Sequence, residues 1–135
     1  MENKIENIII EKLENFLNQK LGSHFTFTSS FYNSAIQING TENKPEGNSI
    51  MFIRAGINEE NAQVYIANLF IPFEFKHQNI GKDMISIVFR SSLNFGYDVF
   101  LVDMTDSFYE RMLKRGASRC NIPDVLHITS STRLN

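Results

Sequence analysis

The spacing of apolar residues changes between positions 64 and 93, and this change predicts a strand followed by a helix. The run from Val64 to Ile71 is almost continuously β-branched, aromatic or aliphatic, and it ends at Pro72. Such a run is typical of a central strand that is covered on both faces. From Met84 to Leu93 the apolar residues recur at helical spacing. The polar residues 76–82 between them predict a turn whose helix N-terminal N–H groups can bind an anion.

The residues before this stretch predict a helix and a set of antiparallel strands. An amphipathic stripe places Glu6 on the polar side of the helix, and Gly22 is expected in a left-handed C-terminal cap. Alternation places Phe25 and Phe27 on one face of a strand, where they are expected to join the core. The predicted elements are a helix over residues 4–21, a hairpin of residues 24–28 and 35–39 with its turn in residues 29–33, a loop over residues 40–49 and a strand over residues 50–57.

The residues after the long helix predict a further strand, a helix and a last strand pair. Ser107 and Glu110 have the spacing of a capping box, and Gly116 is expected to end the second helix. The predicted elements are a buried strand over residues 97–104, a helix from about residue 105 to 115, and strands near residues 118–120 and 125–129. No linker or repeat interrupts the chain. The pattern therefore predicts one α+β domain over residues 1–135, with a mixed, mostly antiparallel twisted sheet flanked by helices.

Composition narrows the function classes. The formal charge of −2 argues against a general nucleic-acid-binding protein, because such proteins usually carry a basic excess. Cys120 is the only cysteine, so an internal disulfide is impossible and a reducing compartment fits best. The N-terminal sequence does not resemble a signal peptide, and no segment is apolar enough to cross a bilayer, which predicts a cytoplasmic protein without a membrane partner. His24, His77 and His127 are scattered, so no metal site is predicted.

One stretch, residues 69–85, reads LFIPFEFKHQNIGKDMI. Together with the predicted order of hairpin, strand, turn, helix, parallel strand, helix and final antiparallel pair, it resembles the GNAT superfamily of acetyl-CoA-dependent N-acetyltransferases. The positions that match the family's motif are Leu69, Ile71, Pro72, Phe75, Gly81 and Ile85. The resemblance covers roughly residues 50–129 and implies a GNAT-like fold with acetyl-CoA as cosubstrate.

The resemblance also implies which residues hold coenzyme A. The strand backbone would bind the pantetheine arm, and the amides of the turn would bind the pyrophosphate. The implied binding residues are Leu69, Phe70, Ile71, Lys76, His77, Gln78, Asn79, Ile80, Gly81 and Lys82. Lys76 replaces the family's arginine or glutamine, and Asn79 replaces the first motif glycine. Asn tolerates a left-handed backbone, at a cost of about 1 kcal/mol or less.

The catalytic residues are less fully specified. Tyr109 resembles the tyrosine that protonates the departing thiolate of coenzyme A in many members of the family. Its distance from Gly116 is one turn longer than usual, and if Gly116 sets the register, Met112 takes the place of the tyrosine. No general base is obvious, and Glu74 or Asp103 could each act through a water molecule.

The function expected from the resemblance is transfer of an acetyl group from acetyl-CoA to an amine by direct attack. An alternative is a catalytically inactive GNAT-like binding or regulatory module, which the altered glycine, the tyrosine spacing and the missing base favour. Transfer of another acyl group is a third alternative. The acceptor and the oligomeric state stay open at this point, with a homodimer among the alternatives.

Overall fold

The computed structural model describes residues 4–134. Its helices are α1 (Ile5–Leu21), α2 (Ile80–Leu93) and α3 (Asp106–Lys114). Its strands are β1 (Phe25–Tyr32), β2 (Ala35–Glu42), β3 (Ser49–Asn58), β4 (Gln63–Leu69), β5 (Asp98–Leu101), β6 (Ser118–Arg119) and β7 (Leu126–Ile128). A short 3-10 turn, Phe73–Phe75, lies between β4 and α2.

The strands form one sheet in the order β1-β2-β3-β4-β5-β7-β6. The pair of β4 and β5 is parallel, and the other neighbouring pairs are antiparallel. This arrangement confirms the predicted α+β class, with a mixed, mostly antiparallel sheet and flanking helices. The order of elements also matches the order on which the resemblance to the GNAT fold was based. No helix within residues 4–134 is long and apolar enough to span a membrane.

Helix α1 packs on the sheet and on α2 through a stripe of buried aliphatic residues. These residues recur every four positions: Ile5, Ile9, Leu13, Leu17 and Leu21. The prediction for Glu6 was wrong, because the buried face at the first turn is wide enough to include it, and Glu6 is only 6% exposed. The prediction for Gly22 was also wrong. Its φ of −64° is right-handed, because it continues the last turn and donates its N–H to the Asn18 carbonyl.

The first hairpin is longer than its sequence pattern indicated. Strand pairing continues to Tyr32 opposite Ala35, so the predicted turn in residues 29–33 was wrong and most of that segment is strand. The connection is Asn33-Ser34, and both residues have positive φ, as two-residue hairpin turns require. The alternation of apolar and polar residues stops at Ser29 because the end of the hairpin is largely exposed. The sequence pattern therefore did not predict that the strand continues there.

Three phenylalanine rings form the part of the core beneath the first hairpin. Phe25 and Phe27 are buried, as predicted, and each ring lies edge-on to Phe52 with a centroid distance of 5.2 Å. Gly40 faces Phe27 across the β1–β2 pair. A Cβ at Gly40 would lie 2.6 Å from the Phe52 ring, so this close approach requires glycine.

Helix α3 begins one residue after Thr105, whose hydroxyl accepts the N–H of Phe108 at 3.4 Å. The capping box predicted for Ser107 and Glu110 was therefore wrong, because Ser107 already lies inside the helix. Gly116 follows the helix with φ of +96°, as its predicted role requires. The C-terminal segment passes close to it, and the Arg133 N–H donates to the Arg115 carbonyl.

Candidate active site

The central strand β4 carries one extra residue. Arg54 lies opposite Asn68, and Ala55 lies opposite Ile66, so Ala67 has no partner on β3. This offset is a β-bulge, which bends a strand and increases its local twist. The bulge lies where β4 leaves its parallel neighbour.

The parallel strands β4 and β5 separate at the bulge. The last paired residues are Ile66 and Leu101, and the Val102 N–H donates to the Ile66 carbonyl at 2.9 Å. The Phe70 N–H donates to the Phe52 carbonyl on β3. Because successive N–H groups along a strand alternate in direction, the N–H of Leu69, the last residue of β4, points to the opposite edge, toward the gap between β4 and β5. The gap therefore presents a backbone donor that can bind an extended amide.

The turn before α2 has a left-handed backbone at two positions. His77 has φ of +69° and Asn79 has φ of +62°. Asn79 is the N-cap of α2, its side chain makes no capping bond, and its carbonyl accepts the Asp83 N–H. The left-handed Asn79 agrees with the interpretation that it replaces a motif glycine, whereas the positive φ of His77 was not predicted.

Helix α2 starts at Ile80, so Gly81 and Lys82 belong to its first turn. The N–H groups of a first turn have no partner inside the helix and carry the positive end of its dipole. A Cβ at Gly81 would lie 3.4 Å from the Leu69 side chain and 3.8 Å from that of Ile71. Glycine thus lets the start of α2 approach the end of β4, which brings its free N–H groups beside the strand edge.

These elements enclose a cleft of about 690 Å³. Its strand wall consists of Met51, Asn68, Leu69, Phe70 and Ile71, and its turn wall of Phe75, Lys76, His77, Asn79, Ile80, Gly81 and Lys82. Its third wall, from β5 and α3, consists of Asp103, Met104, Thr105, Ser107, Phe108, Arg111, Met112 and Arg115. Of the ten residues predicted to bind coenzyme A, all except Gln78 line this one cleft.

The cleft concentrates positive charge in a chain whose formal charge is −2. Lys76, Lys82, Arg111 and Arg115 line it, and Asp103 is the one carboxylate among its lining residues. Within residues 4–134 the ion pairs closer than 4.0 Å are Lys44–Glu42 and His127–Asp98, and neither involves a cleft residue. Among the described residues Lys76, Lys82 and Arg111 therefore have no carboxylate partner, whereas the Arg115 guanidinium donates to the Arg133 carbonyl at 3.2 Å. The positive charge makes the cleft suited to a polyanion.

Two of these cationic residues were not recognised as site residues from the sequence. The sequence explains Arg111 and Arg115 as favourable charges at a helix C-terminus. In the structure they line the cleft, with the Arg111 guanidinium 5.5 Å from the centroid of the Phe108 ring. Ser107 and Arg111 lie four residues apart in α3, and Arg115, its C-cap residue, follows four residues later. This spacing is the signal that places them on one face.

The structure does not bring Tyr109 into the cleft. Its ring is partly buried, and the Arg119 guanidinium lies 6.0 Å from its centroid. Met112 lies one turn later, lines the cleft and is 2% exposed. The thiolate-acid role of Tyr109 stays a prediction. Of the two candidate bases, Asp103 lines the cleft, whereas Glu74 is exposed on the 3-10 turn and outside it.

The rival chemistries find little support in the described part of the chain. Residues 4–134 contain no cluster of three His, Cys, Asp or Glu side chains that could hold a metal ion. Burial raises the pKa of the Cys120 thiol, which lowers its thiolate fraction. A cysteine nucleophile is therefore disfavoured.

Comparison with known proteins gave matches to solved structures only. No protein-family model matches the sequence, and no curated protein is significantly similar to it. The structure is similar to YhbS, a GNAT family N-acetyltransferase of Escherichia coli in complex with CoA, with 17% identity and a TM-score of 0.42 over 100% of this chain and 73% of the other. It is also similar to a provisionally named acetyltransferase of Agrobacterium tumefaciens, with 10% identity and a TM-score of 0.40 over 94% of this chain and 88% of the other. At this level of agreement the matches assign neither a function nor a ligand.

Proposed function

We propose that this protein is an N-acetyltransferase that uses acetyl-CoA as cosubstrate. The observation that carries the proposal is the geometry of the cleft. A splayed pair of parallel strands, free to bind an amide chain, leads directly to a left-handed turn and a helix N-terminus surrounded by cationic side chains. Coenzyme A has the matching chemistry, because its pantetheine arm contains amides and its other end is a pyrophosphate.

The binding of the cosubstrate follows from the free donors of the cleft. The N–H groups of Leu69 and Ile71 would bind pantetheine carbonyls in the manner of an added strand. The N–H groups at the start of α2 would bind the pyrophosphate, since a helix N-terminus favours an anion. Lys76 and Lys82 would add charge-assisted hydrogen bonds. The thioester would then lie where β4 and β5 separate.

The proposed reaction is direct attack of an acceptor amine on the thioester carbonyl. The amine nitrogen loses a proton and forms a bond to the carbonyl carbon, which gives a tetrahedral oxyanion. A free N–H on the β4 edge would stabilise this oxyanion, because a fixed donor directed at developing charge lowers the barrier. The C–S bond then breaks, the amide is released, and the thiolate takes up a proton.

Substitution of Tyr109 tests whether its hydroxyl group supplies the proton that the thiolate takes up. Because Tyr109 lies outside the cleft lining, we expect Tyr109→Phe to change kcat by no more than about twofold, with the proton coming from solvent. A general acid in contact with the thiolate would instead contribute about 10²–10⁴-fold. Steady-state kinetics of the variant decide between the two roles, and a hundredfold lower kcat would support the predicted role of Tyr109 as the thiolate acid.

Acetyl transfer itself is tested by incubating the protein with acetyl-CoA and a panel of primary amines. We expect amine-dependent release of coenzyme A, followed as free thiol. Cys120 is the only protein thiol, so Cys120→Ser removes the background signal of the protein. Desulfo-CoA, which carries no thioester, serves as the control that binds without reacting.

A second candidate function is a coenzyme A-binding module without catalysis. The observation that favours it is Met112 in the cleft, where a hydroxyl group would be expected to face the thiolate. Such a module would bind acetyl-CoA with the same contacts but would release no thiol with any amine. The transfer assay described above therefore separates the two candidates, because only the enzyme releases coenzyme A in the presence of an amine.

A further inference from the structure

The two edges of the sheet differ in how they are protected against pairing with a further strand. β6 forms one edge with only two exposed residues, Ser118–Arg119. Short edge strands and charged edge residues are devices by which proteins prevent pairing with another chain. β1 forms the other edge with eight residues, FTFTSSFY, which include no charged residue and no proline, and its pairing with β2 is regular throughout. β1 therefore lacks the usual protection of an edge strand.

A hydrogen bond at the open end of the first hairpin shows which residues of β1 face the free edge. The Asn43 N–H donates to the His24 carbonyl at 2.9 Å, so His24 and every second residue after it direct their backbone groups toward β2. The residues between them direct their N–H and C=O groups to the free edge, and these are Phe25, Phe27, Ser29 and Phe31. Within residues 4–134 no hydrogen bond joins these outward groups to another segment.

The side chains of this edge are also suited to pairing with another strand. Phe31 is 44% exposed and Tyr32 is 76% exposed, whereas Phe25, on the same face as Phe31, is buried. The other exposed side chains of β1 end in hydroxyl groups, and they belong to Thr26, Thr28 and Ser30. Aromatic pairs and Thr–Thr or Thr–Ser pairs are among the favourable pairs between neighbouring strands.

A second copy of β1 matches this edge in one register better than in any other. In a two-fold symmetric antiparallel pair, residues that face the partner must lie opposite residues that face back. With the axis at Thr28, Phe25 lies opposite Phe31 of the second copy, and Phe27 lies opposite its Ser29. All four outward-facing residues of each copy are then paired, whereas an axis at Phe27 or at Ser29 pairs three of them.

The same register brings compatible side chains together. Phe31 meets Phe25 of the second copy, and this aromatic pair covers part of the exposed Phe31 ring. Thr28 meets Thr28 of the second copy, and Thr26 meets its Ser30, so hydroxyl groups lie opposite one another. Because β1 has no charged residue and the formal charge of the chain is only −2, two copies repel each other weakly.

We propose that β1 pairs with β1 of a second copy of this chain, which joins two seven-stranded sheets into one continuous sheet. The partner is a second copy because the strand is complementary to itself in a register that uses every outward-facing residue. The dimer does not depend on acetyl transfer. β1 contributes no residue to the cleft, which lies three strands away at β4, so each copy keeps its own cleft.

Two measurements on the wild-type protein test this pairing under reducing conditions, which prevent a disulfide through Cys120. Sedimentation equilibrium should give twice the mass of the chain at tens of micromolar protein. Amide hydrogen exchange should show Phe27 and Ser29 protected only in the dimer, whereas β2 protects Thr26 and Thr28 at every concentration. A protein that stays monomeric at millimolar concentration would overturn the proposal, and so would a dimer in which the Phe27 and Ser29 amides exchange as fast as in the monomer.

Substitutions at Thr28 test the position of the two-fold axis. Thr28 is exposed, and Thr28→Lys or Thr28→Glu places two like charges opposite each other across the axis. We expect each variant alone to dimerise about tenfold or more weakly than wild type. An equimolar mixture of the two should recover association through Lys–Glu pairs, and this recovery excludes misfolding as the cause of the loss.

Thr41→Lys is the matched control for Thr28→Lys. Thr41 is exposed and lies on β2, one strand in from the edge and opposite Thr26. We expect Thr41→Lys to dimerise as wild type does. Equal weakening by both lysine substitutions, or no recovery when the Thr28 variants are mixed, would refute a two-fold contact at Thr28.

Discussion

Lys82→Glu will lose acetyl-CoA affinity while the free protein becomes slightly more stable. Lys82 lies in the first turn of α2 and lines the cleft. In the bound state it would face the pyrophosphate, and a charge-assisted hydrogen bond is worth about 1.5–3 kcal/mol. The glutamate also repels the phosphates, so we expect an affinity loss of about 100-fold or more.

The stability change has the opposite sign because of the helix dipole. A lysine in the first turn of a helix meets the positive end of the dipole, and a glutamate there is favourable. Each such charge contributes about 0.3–1 kcal/mol, so the free energy of unfolding should rise by about 1 kcal/mol. Calorimetric titration and denaturant unfolding measure the two effects. If the variant is more stable than wild type but binds acetyl-CoA more weakly, misfolding cannot explain its loss of affinity.

Lys114→Glu provides a control with the same change in net charge. Lys114 lies at the exposed end of α3 and does not line the cleft. We expect its affinity for acetyl-CoA to fall far less than that of Lys82→Glu, because Lys114 is exposed to solvent, which screens its charge, and its side chain does not line the cleft. Equal losses in both variants would show that overall charge controls binding, which would contradict a pyrophosphate site at α2.

Phe52→Ala will cause the largest stability loss among the changes considered. Phe52 is fully buried, and its ring contacts Phe25 and Phe27 edge-on. Removal of a buried phenylalanine ring costs about 3–5 kcal/mol, because it loses burial and leaves a cavity. That is a large part of the roughly 5–15 kcal/mol by which a folded domain is stable. We expect the denaturant midpoint to fall accordingly.

Phe73→Ala is the matched control for Phe52→Ala. The Phe73 side chain is 82% exposed on the 3-10 turn, and its removal should change the free energy of unfolding by no more than about 0.5 kcal/mol. Comparable losses in both variants would show that Phe73 is buried in solution, for example by a partner. A loss below 1 kcal/mol for Phe52→Ala would contradict the packing of the three rings.

The parts of the fold that the sequence predicts are those with one buried face. The stripe from Ile5 to Leu21 predicts α1 because burial of one face imposes a period of 3.6 on the residues. The apolar run from Val64 predicts β4 by its continuous β-branched, aromatic and aliphatic residues instead. The pattern does not predict the burial or the backbone conformation of a single residue when the spacing of the apolar residues around it stays regular. Glu6 is buried inside an otherwise regular stripe, and Gly22 stays right-handed because the helix simply continues through it.

The candidate site is only partly encoded in a local pattern. The turn motif locates nine of the ten residues predicted to bind coenzyme A in one cleft, with Asn79 in the left-handed conformation that replaces a glycine. The bulge at Ala67 depends on the register of β3 against β4, which is set by tertiary pairing and has no residue signature. Arg111 joins the site only because α3 folds against the cleft. Distant elements therefore contribute the part of the site that the motif does not describe.

The most direct test of the proposed binding mode, on which the proposed function rests, is a titration of isotopically labelled protein with acetyl-CoA, followed by the chemical shifts of the backbone amides. The proposed binding mode predicts saturable shifts, at micromolar ligand, for Leu69, Ile71 and the amides of residues 77–82, with little change at Asn33 on the far hairpin turn. Absence of shifts at millimolar acetyl-CoA, or shifts confined to residues outside the cleft, would contradict it.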